Sequence, residues 1–296
     1  MNPTRRPGTP VIVATFALLC LIWGTTWSVI QIGLEDIPPF SGAAIRFALA
    51  AAILLGLSFA RGVRLGAAPH EKTLWLVNGV LAFAVSYGVV YWAEQWVPSG
   101  LTAVLFATYP LFVAVLAHFL LPRERIVAPE MVGIVLGFIG VGVIFSADFG
   151  RLGGSQVALA SVVMLLSPLA AAIASVAVKR WGGAIHPFSL SAVPMAISVG
   201  FLGGLALALE RDRTFAWNAV SISALLYLVV ASSVVCFSLY YWLLSHLPAK
   251  RLALIAYTIP IIAVLIGAMR GEPLLARTLV GSVMVLIGIA LAVHRR

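Results

Sequence analysis

Apolar runs long enough to cross a bilayer follow one another along almost all of this 296-residue chain. They fall near residues 11–33, 39–60, 73–93, 99–120, 128–146, 156–178, 187–209, 220–243, 251–269 and 275–293. A bilayer core takes about 20 apolar residues per helix. Only short connections lie between the runs, with no room for a water-soluble domain. The chain is 62% hydrophobic and 10% charged, where soluble domains carry roughly 25% charged residues. A soluble fold of this size lacks the interior to hide so much apolar surface. The runs are too long for membrane strands and show no sustained two-residue alternation. In lipid, backbone N–H and C=O groups need partners within their own element, which leaves helices. The expectation is an all-α polytopic membrane protein with ten transmembrane helices. Arg5 and Arg6 precede the first run as in a signal peptide. That run reaches about Ile32 without a good cleavage site, so it is expected to be a retained span.

The net charge is +9, yet the basic residues flank apolar runs and do not gather on one element. That pattern fits contact with anionic lipid headgroups, not nucleic acid. With the N-terminus inside, cytoplasmic segments hold 13 Lys and Arg, outer segments hold 5, and Arg46 falls within a span. This bias predicts a multi-pass protein of the cytoplasmic (inner) membrane with both termini cytoplasmic. Cys20 and Cys236 lie in apolar runs and read as small hydrophobes. No GxxxxGK[ST], HExxH, CxxC or serine-elbow pattern occurs, so no catalytic residue, metal or cofactor is expected.

The chain also repeats itself. Val90–Pro110 reads VYWAEQWVPSGLTAVLFATYP, and Tyr240–Pro260 reads YYWLLSHLPAKRLALIAYTIP. Tyr91, Trp92, Pro98, Ala103, Thr108 and Pro110 recur 150 residues later as Tyr241, Trp242, Pro248, Ala253, Thr258 and Pro260. At an offset of 148, Pro39-Phe40-Ser41 matches Pro187-Phe188-Ser189, and Glu124, Gly133 and Gly140 match Glu272, Gly281 and Gly288. Runs one to five thus pair with runs six to ten, dividing the chain into units 1–147 and 148–296. Five crossings is an odd number, so the second unit enters the membrane from the opposite side. Two inverted bundles can exchange conformations, closing one mouth as the other opens, which points to alternating access. Because one chain carries both units, a monomer suffices. A duplication that only built a stable bundle is the plainer alternative.

Several residues are candidates for a solute path. Arg46 lies seven residues into the second run, counted from Pro39, about 10 Å down at 1.5 Å per residue. It either holds a substrate carboxylate in a bidentate fork, or snorkels to the outer headgroups or pairs with Glu94. Its repeat equivalent is Pro194. Trp23, Tyr87 and Tyr257 fall deep in their runs and offer flat apolar surface with a polar edge, either to a ligand or to packing. Asn78, Ser86, Ser167 and Ser232 add uncharged hydrogen-bonding groups. Pro110 and Pro260 are repeat-equivalent bends, serving as hinges or as static kinks. Gly133, Gly137, Gly140, Gly281 and Gly288 read as close-packing positions. No Asp or Glu falls near a run's centre, so a buried carboxylate proton relay is not expected.

Leu21-Ile22-Trp23-Gly24-Thr25-Thr26-Trp27, Pro38-Pro39 and Arg46-Phe47 resemble the opening of an EamA-type protein of the drug/metabolite transporter superfamily. Arg123-Glu124-Arg125 with Gly133, and later Gly271-Glu272-Pro273-Leu274 with Gly281, resemble the closes of its two repeats. This resemblance implies ten helices in two inverted repeats around a central cavity. It also implies export of small metabolites, with aromatic amino acid exporters of the YddG type as one plausible kind of relative. The expected substrate is an amino acid or amphipathic metabolite; a selective channel or a multidrug permease is the alternative. The second half departs from the pattern at Pro194 and at Ser167-Pro168, where the first has Trp23-Gly24. A symmetric site is therefore not implied.

Overall fold

The computed structural model describes residues 8–63, 65–66, 68–122, 126–145, 154–183, 185–253, 255–271 and 275–293. The motif residues Glu124 and Glu272, and flanking cations such as Arg5, Arg123 and Arg151, lie outside the described residues, as does the side chain of Tyr257.

Among the described residues, every regular element is a helix. In chain order, α1 spans Thr9–Leu34, α2 Pro39–Ala60, α3 Pro69–Ala93 and α4 Ser99–Leu120. Next comes α5, Ala128–Phe145, followed by α6 Ser155–Trp181, α7 Pro187–Leu209 and α8 Ala219–His246. A single turn, Ala249–Leu252, precedes α9 at Ile255–Met269, and α10 spans Ala276–Val293. Seven of these, α1 to α4 and α6 to α8, are long and apolar enough to cross a membrane. The apolar stretches of α5 and α10 are shorter, Ala128–Gly140 and Leu279–Gly288. The protein is an all-α polytopic membrane protein.

Proline sets many of the helix starts. Pro39, Pro69 and Pro187 each occupy the first position of a helix, where a missing N–H removes no intrahelical bond. The equivalents Pro98 and Pro248 stand just before a helix with matching geometry, φ −54° and ψ 143° against φ −56° and ψ 144°. These two repeat-equivalent helix starts therefore use the same local device.

Two features escape a periodicity reading. In α3 and α8 the ladder widens into π-helical stretches, Gly79–Val85 and Leu228–Val235. They begin 149 residues apart and end 150 apart, so the irregularity is itself duplicated. The bends are not duplicated in the same way. In α4 the helix breaks at Ala107 and Thr108, just ahead of Pro110, which has no N–H for the carbonyl four residues back. In the second half Pro260 lies inside continuous α9, and the break falls upstream at Ala253.

The halves interlock. Prominent contacts pair α5 with α10, α2 with α7, α1 with α9, and the C-terminal part of α4 with α6. Exchanging the repeats maps this set onto itself. The α5–α10 contact is made backbone to backbone at the glycines. A methyl group on Gly288 would lie 2.4 Å from Gly137 N and 2.6 Å from Gly133 O. One on Gly140 would lie 2.8 Å from Gly281 O. Because backbone atoms set these limits, no rotamer change relieves them.

Gly288→Ala is therefore expected to destabilise the protein by about 1–3 kcal/mol, the range of core overpacking. Gly142→Ala, where a methyl group meets nothing within 4 Å, should be near neutral. Thermal unfolding of the detergent-solubilised protein checks the pair; equal melting temperatures would contradict this packing.

Candidate functional site

A cavity, partly open at its mouth, lies between the two halves. The wall is largely aromatic. It includes Trp23 and Trp27 from α1, Tyr87 from α3, Tyr109 from α4, and Phe237 and Tyr240 from α8. None of the described residues lining it is charged. Four of the sequence candidates, Trp23, Asn78, Ser86 and Tyr87, line it together. Trp23 packs edge-on against Phe237 with ring centroids 5.5 Å apart, and Tyr87 lies 6.0 Å from the same Phe237 ring. One aromatic side chain of the second half thus joins two of the first.

Arg46 is fully buried, and the structure places it behind this wall. Its Nε donates to Ser233 Oγ at 2.8 Å, its Nη2 to Ser232 Oγ at 3.0 Å, and its Nη1 to Tyr91 OH at 3.4 Å. Its guanidinium carbon lies 4.8 Å from the centroid of the Tyr87 ring, within cation–π range. The fork that an arginine offers a carboxylate is taken up by hydroxyls on the second π stretch. Ser233 in turn donates to the Leu228 carbonyl at 2.9 Å, and Ser232 meets Thr26 Oγ1 at 2.9 Å. A direct contact between Arg46 and substrate would require it to leave these partners.

Asn78 also bridges the halves, and the cause can be read from Pro194. A proline in a helix withholds an N–H from the carbonyl four residues back, which here is Leu190 O. Asn78 Nδ2 donates to that carbonyl at 2.9 Å and lies 2.7 Å from Tyr241 OH. One residue later, a methyl group on Gly79 would lie 2.9 Å from Pro194 O. The equivalent positions Arg46 and Pro194 therefore each meet the π stretch of the opposite half, one through a guanidinium and the other through its backbone.

At the other side of the cavity, Tyr240 OH lies 2.7 Å from both Tyr109 OH and Ser175 Oγ. Ser86 and Ser167, from opposite halves, meet at 2.9 Å. Pro110 directly follows Tyr109, so the α4 break adjoins the wall, while Ile255, Ala256 and Ile259 bring the start of α9 into it up to Pro260. Thr26 and Ser175 were not singled out from the sequence. Small hydroxyl residues are too common in membrane helices for their positions to stand out. Three carboxylates at helix ends, Glu94, Glu130 and Glu210, are also more deeply buried than their positions suggest. Glu210 accepts from Phe40 N and Ser41 N, both at 2.8 Å, at the start of α2. Glu130 pairs with Lys250 at 2.7 Å, with both side chains buried.

The model of the EamA-like transporter family matches this chain twice, over residues 11–146 and 158–294. The chain belongs to the EamA-like transporter family. It is 32% identical over 276 residues to an uncharacterized inner membrane transporter, YedA, of Escherichia coli K12, covering 90% of this chain and 85% of that protein. It is 28% identical over 283 residues to an uncharacterized transporter of Archaeoglobus fulgidus, covering 95% of this chain and 98% of that protein. A solved crystal structure superposes with a TM-score of 0.72 at 16% identity over 95% of this chain and 97% of that one, a likeness of fold alone. As an EamA-like protein, the chain is a secondary transporter of small molecules across a membrane and not an enzyme.

The Asn78–Leu190 bond predicts a coupled response. Asn78→Ala should cost about 1–3 kcal/mol, the penalty for a stranded buried polar group. In a Pro194→Ala background the restored N–H serves Leu190 O, so the same change should cost less. Thermal unfolding of the four proteins gives the coupling energy, and equal losses in the two backgrounds would contradict the assignment.

Proposed function

We propose that this EamA-like protein exports small amphipathic metabolites, aromatic amino acids foremost, from the cytoplasm by alternating access. The observation that carries this reading is the cavity itself, with aromatic faces and uncharged hydrogen-bonding groups drawn from both halves. In this reading the chain is ten spans in two inverted five-helix units, 1–147 and 148–296, working as a monomer in the cytoplasmic membrane. Both termini face the cytoplasm. The duplicated family match and the exchange-symmetric helix contacts support that arrangement.

The proposed roles follow from position. Trp23 and Tyr87 supply the aromatic faces that flank the substrate. Arg46 is a positioning residue that fixes Tyr87 from behind and sets a positive potential there. Asn78 ties the wall to α7, and Tyr257 is assigned to the path from its place in the sequence. The breaks near Pro110 and before Pro260 are where α4 and α9 bend as the two mouths exchange. The buried Lys250–Glu130 pair joins the halves at the end assigned to the cytoplasm and separates when that mouth opens.

Counterflow in liposomes tests this reading. Purified protein should accelerate saturable, trans-stimulated exchange of labelled aromatic amino acids. Current without trans-stimulation would instead identify a channel, and exchange of amphipathic amines alone a multidrug permease. Reporter tags after residues 33 and 185 should emerge on opposite faces of the membrane; emergence on one face would overturn the inversion.

A further inference from the structure

The polar groups around the cavity differ in one respect: most already have partners. Trp23 Nε1 donates to Ser232 O at 3.3 Å. Thr26 Oγ1 donates to Ile22 O at 2.8 Å. Asn78 serves Leu190 O, Ser86 meets Ser167, and Ser175 and Tyr109 meet Tyr240. Trp27 is the exception. It lines the cavity and is 7% exposed, and its Nε1 is a buried donor with no hydrogen-bond partner among the described residues. Its ring is held against Phe106, with centroids 5.2 Å apart. A buried indole N–H ordinarily has an acceptor, and an indole offers a donor only.

A second observation points the same way. The Arg46 guanidinium lies one ring behind the wall, 4.8 Å from the Tyr87 centroid. With no charged residue among those described in the lining, the nearby positive charge favours an anionic group in the cavity over a cationic one. A free donor and a shielded cation both select a substrate that carries an acceptor.

We infer that the indole N–H of Trp27 receives the substrate's carboxylate, making Trp27 the specificity-determining residue for carboxylate-bearing over amine-only aromatic solutes. The aromatic body of the substrate then lies along the Phe237 and Tyr87 faces. This inference rests on the proposed function and refines it.

The test compares L-phenylalanine with phenethylamine, its decarboxylated counterpart, in liposome counterflow. Trp27→Phe keeps a ring and deletes the donor. It should raise half-saturation for phenylalanine about tenfold, the size of one charge-assisted hydrogen bond, and change that for phenethylamine less than about twofold. If the wild type exchanges no phenylalanine, the proposed function fails first. If the wild type exchanges phenylalanine and Trp27→Phe leaves its half-saturation unchanged, or weakens both solutes equally, the inference fails while the proposed function stands. Trp27→3-benzothienylalanine keeps the bicyclic shape and replaces N–H by sulfur. It repeats the test should the smaller ring disturb folding, with the same outcomes for and against.

Discussion

A carbonyl freed inside the hydrocarbon layer must find another donor, because no water is there to serve it. The centre of this protein is organised by that rule. Pro194 frees Leu190 O within α7, and Asn78 reaches it from α3. The π stretch of α8 loosens its own ladder, and Ser233 donates back to Leu228 O while accepting from Arg46. Each irregular backbone site lies where it touches the other half. The polar bonds that repair the helices are therefore the same bonds that hold the two bundles in register. Apolar packing alone gives little orientation between helices in lipid, since lipid tails are as apolar as the side chains.

The ends of the bundle follow a related logic with stronger charges. Glu210 places a carboxylate on two N–H groups at the start of α2 and accepts from Ser41 Oγ at 2.7 Å, where the helix dipole favours negative charge. The equivalent start of α7 uses neutral groups instead. His186 Nδ1 accepts from Phe188 N at 3.2 Å, and Trp75 Nε1 donates to Ser189 Oγ at 3.1 Å. Opposite ends of one duplicated device thus differ in strength. Near the α9 start the buried Lys250–Glu130 pair joins the halves, and breaking such a pair strands a charge unless water enters. Entry of water is what opening of that mouth would supply.

Much of the fold was legible in the sequence because span length and apolarity are set by the bilayer, not by partners. The echo between Tyr91–Pro110 and Tyr241–Pro260 exposed the duplication before any contact was known. The glycine positions on α5 and α10 likewise announced close packing, and a methyl group added at Gly288 would come within 2.4 Å of Gly137 N. The site was less legible. Trp23, Asn78 and Tyr87 could be picked by depth, but depth does not say whether a polar group has a partner. Arg46 could be seen as costly in a span, yet its hydroxyl partners lie 186 and 187 residues away. The π stretches left no mark at all, because their residues are as apolar as those of the α-helical segments around them.

The difference between Arg46 and Pro194 bears on function more than either residue alone. At one position of a duplicated scaffold, the first half presents a cation and the second an uncharged proline backbone. Both solve the same contact problem, meeting a π stretch across the interface, but only the first brings a charge to it. A strictly symmetric cavity would accept an unsymmetrical solute equally well in two orientations related by its axis. A guanidinium behind Tyr87 and a buried indole N–H on α1, with no partner among the described residues, break that degeneracy. In the proposed cycle the duplicated frame supplies exchangeable halves, while the non-duplicated residues give the proposed amphipathic substrate a head end and a tail end within them.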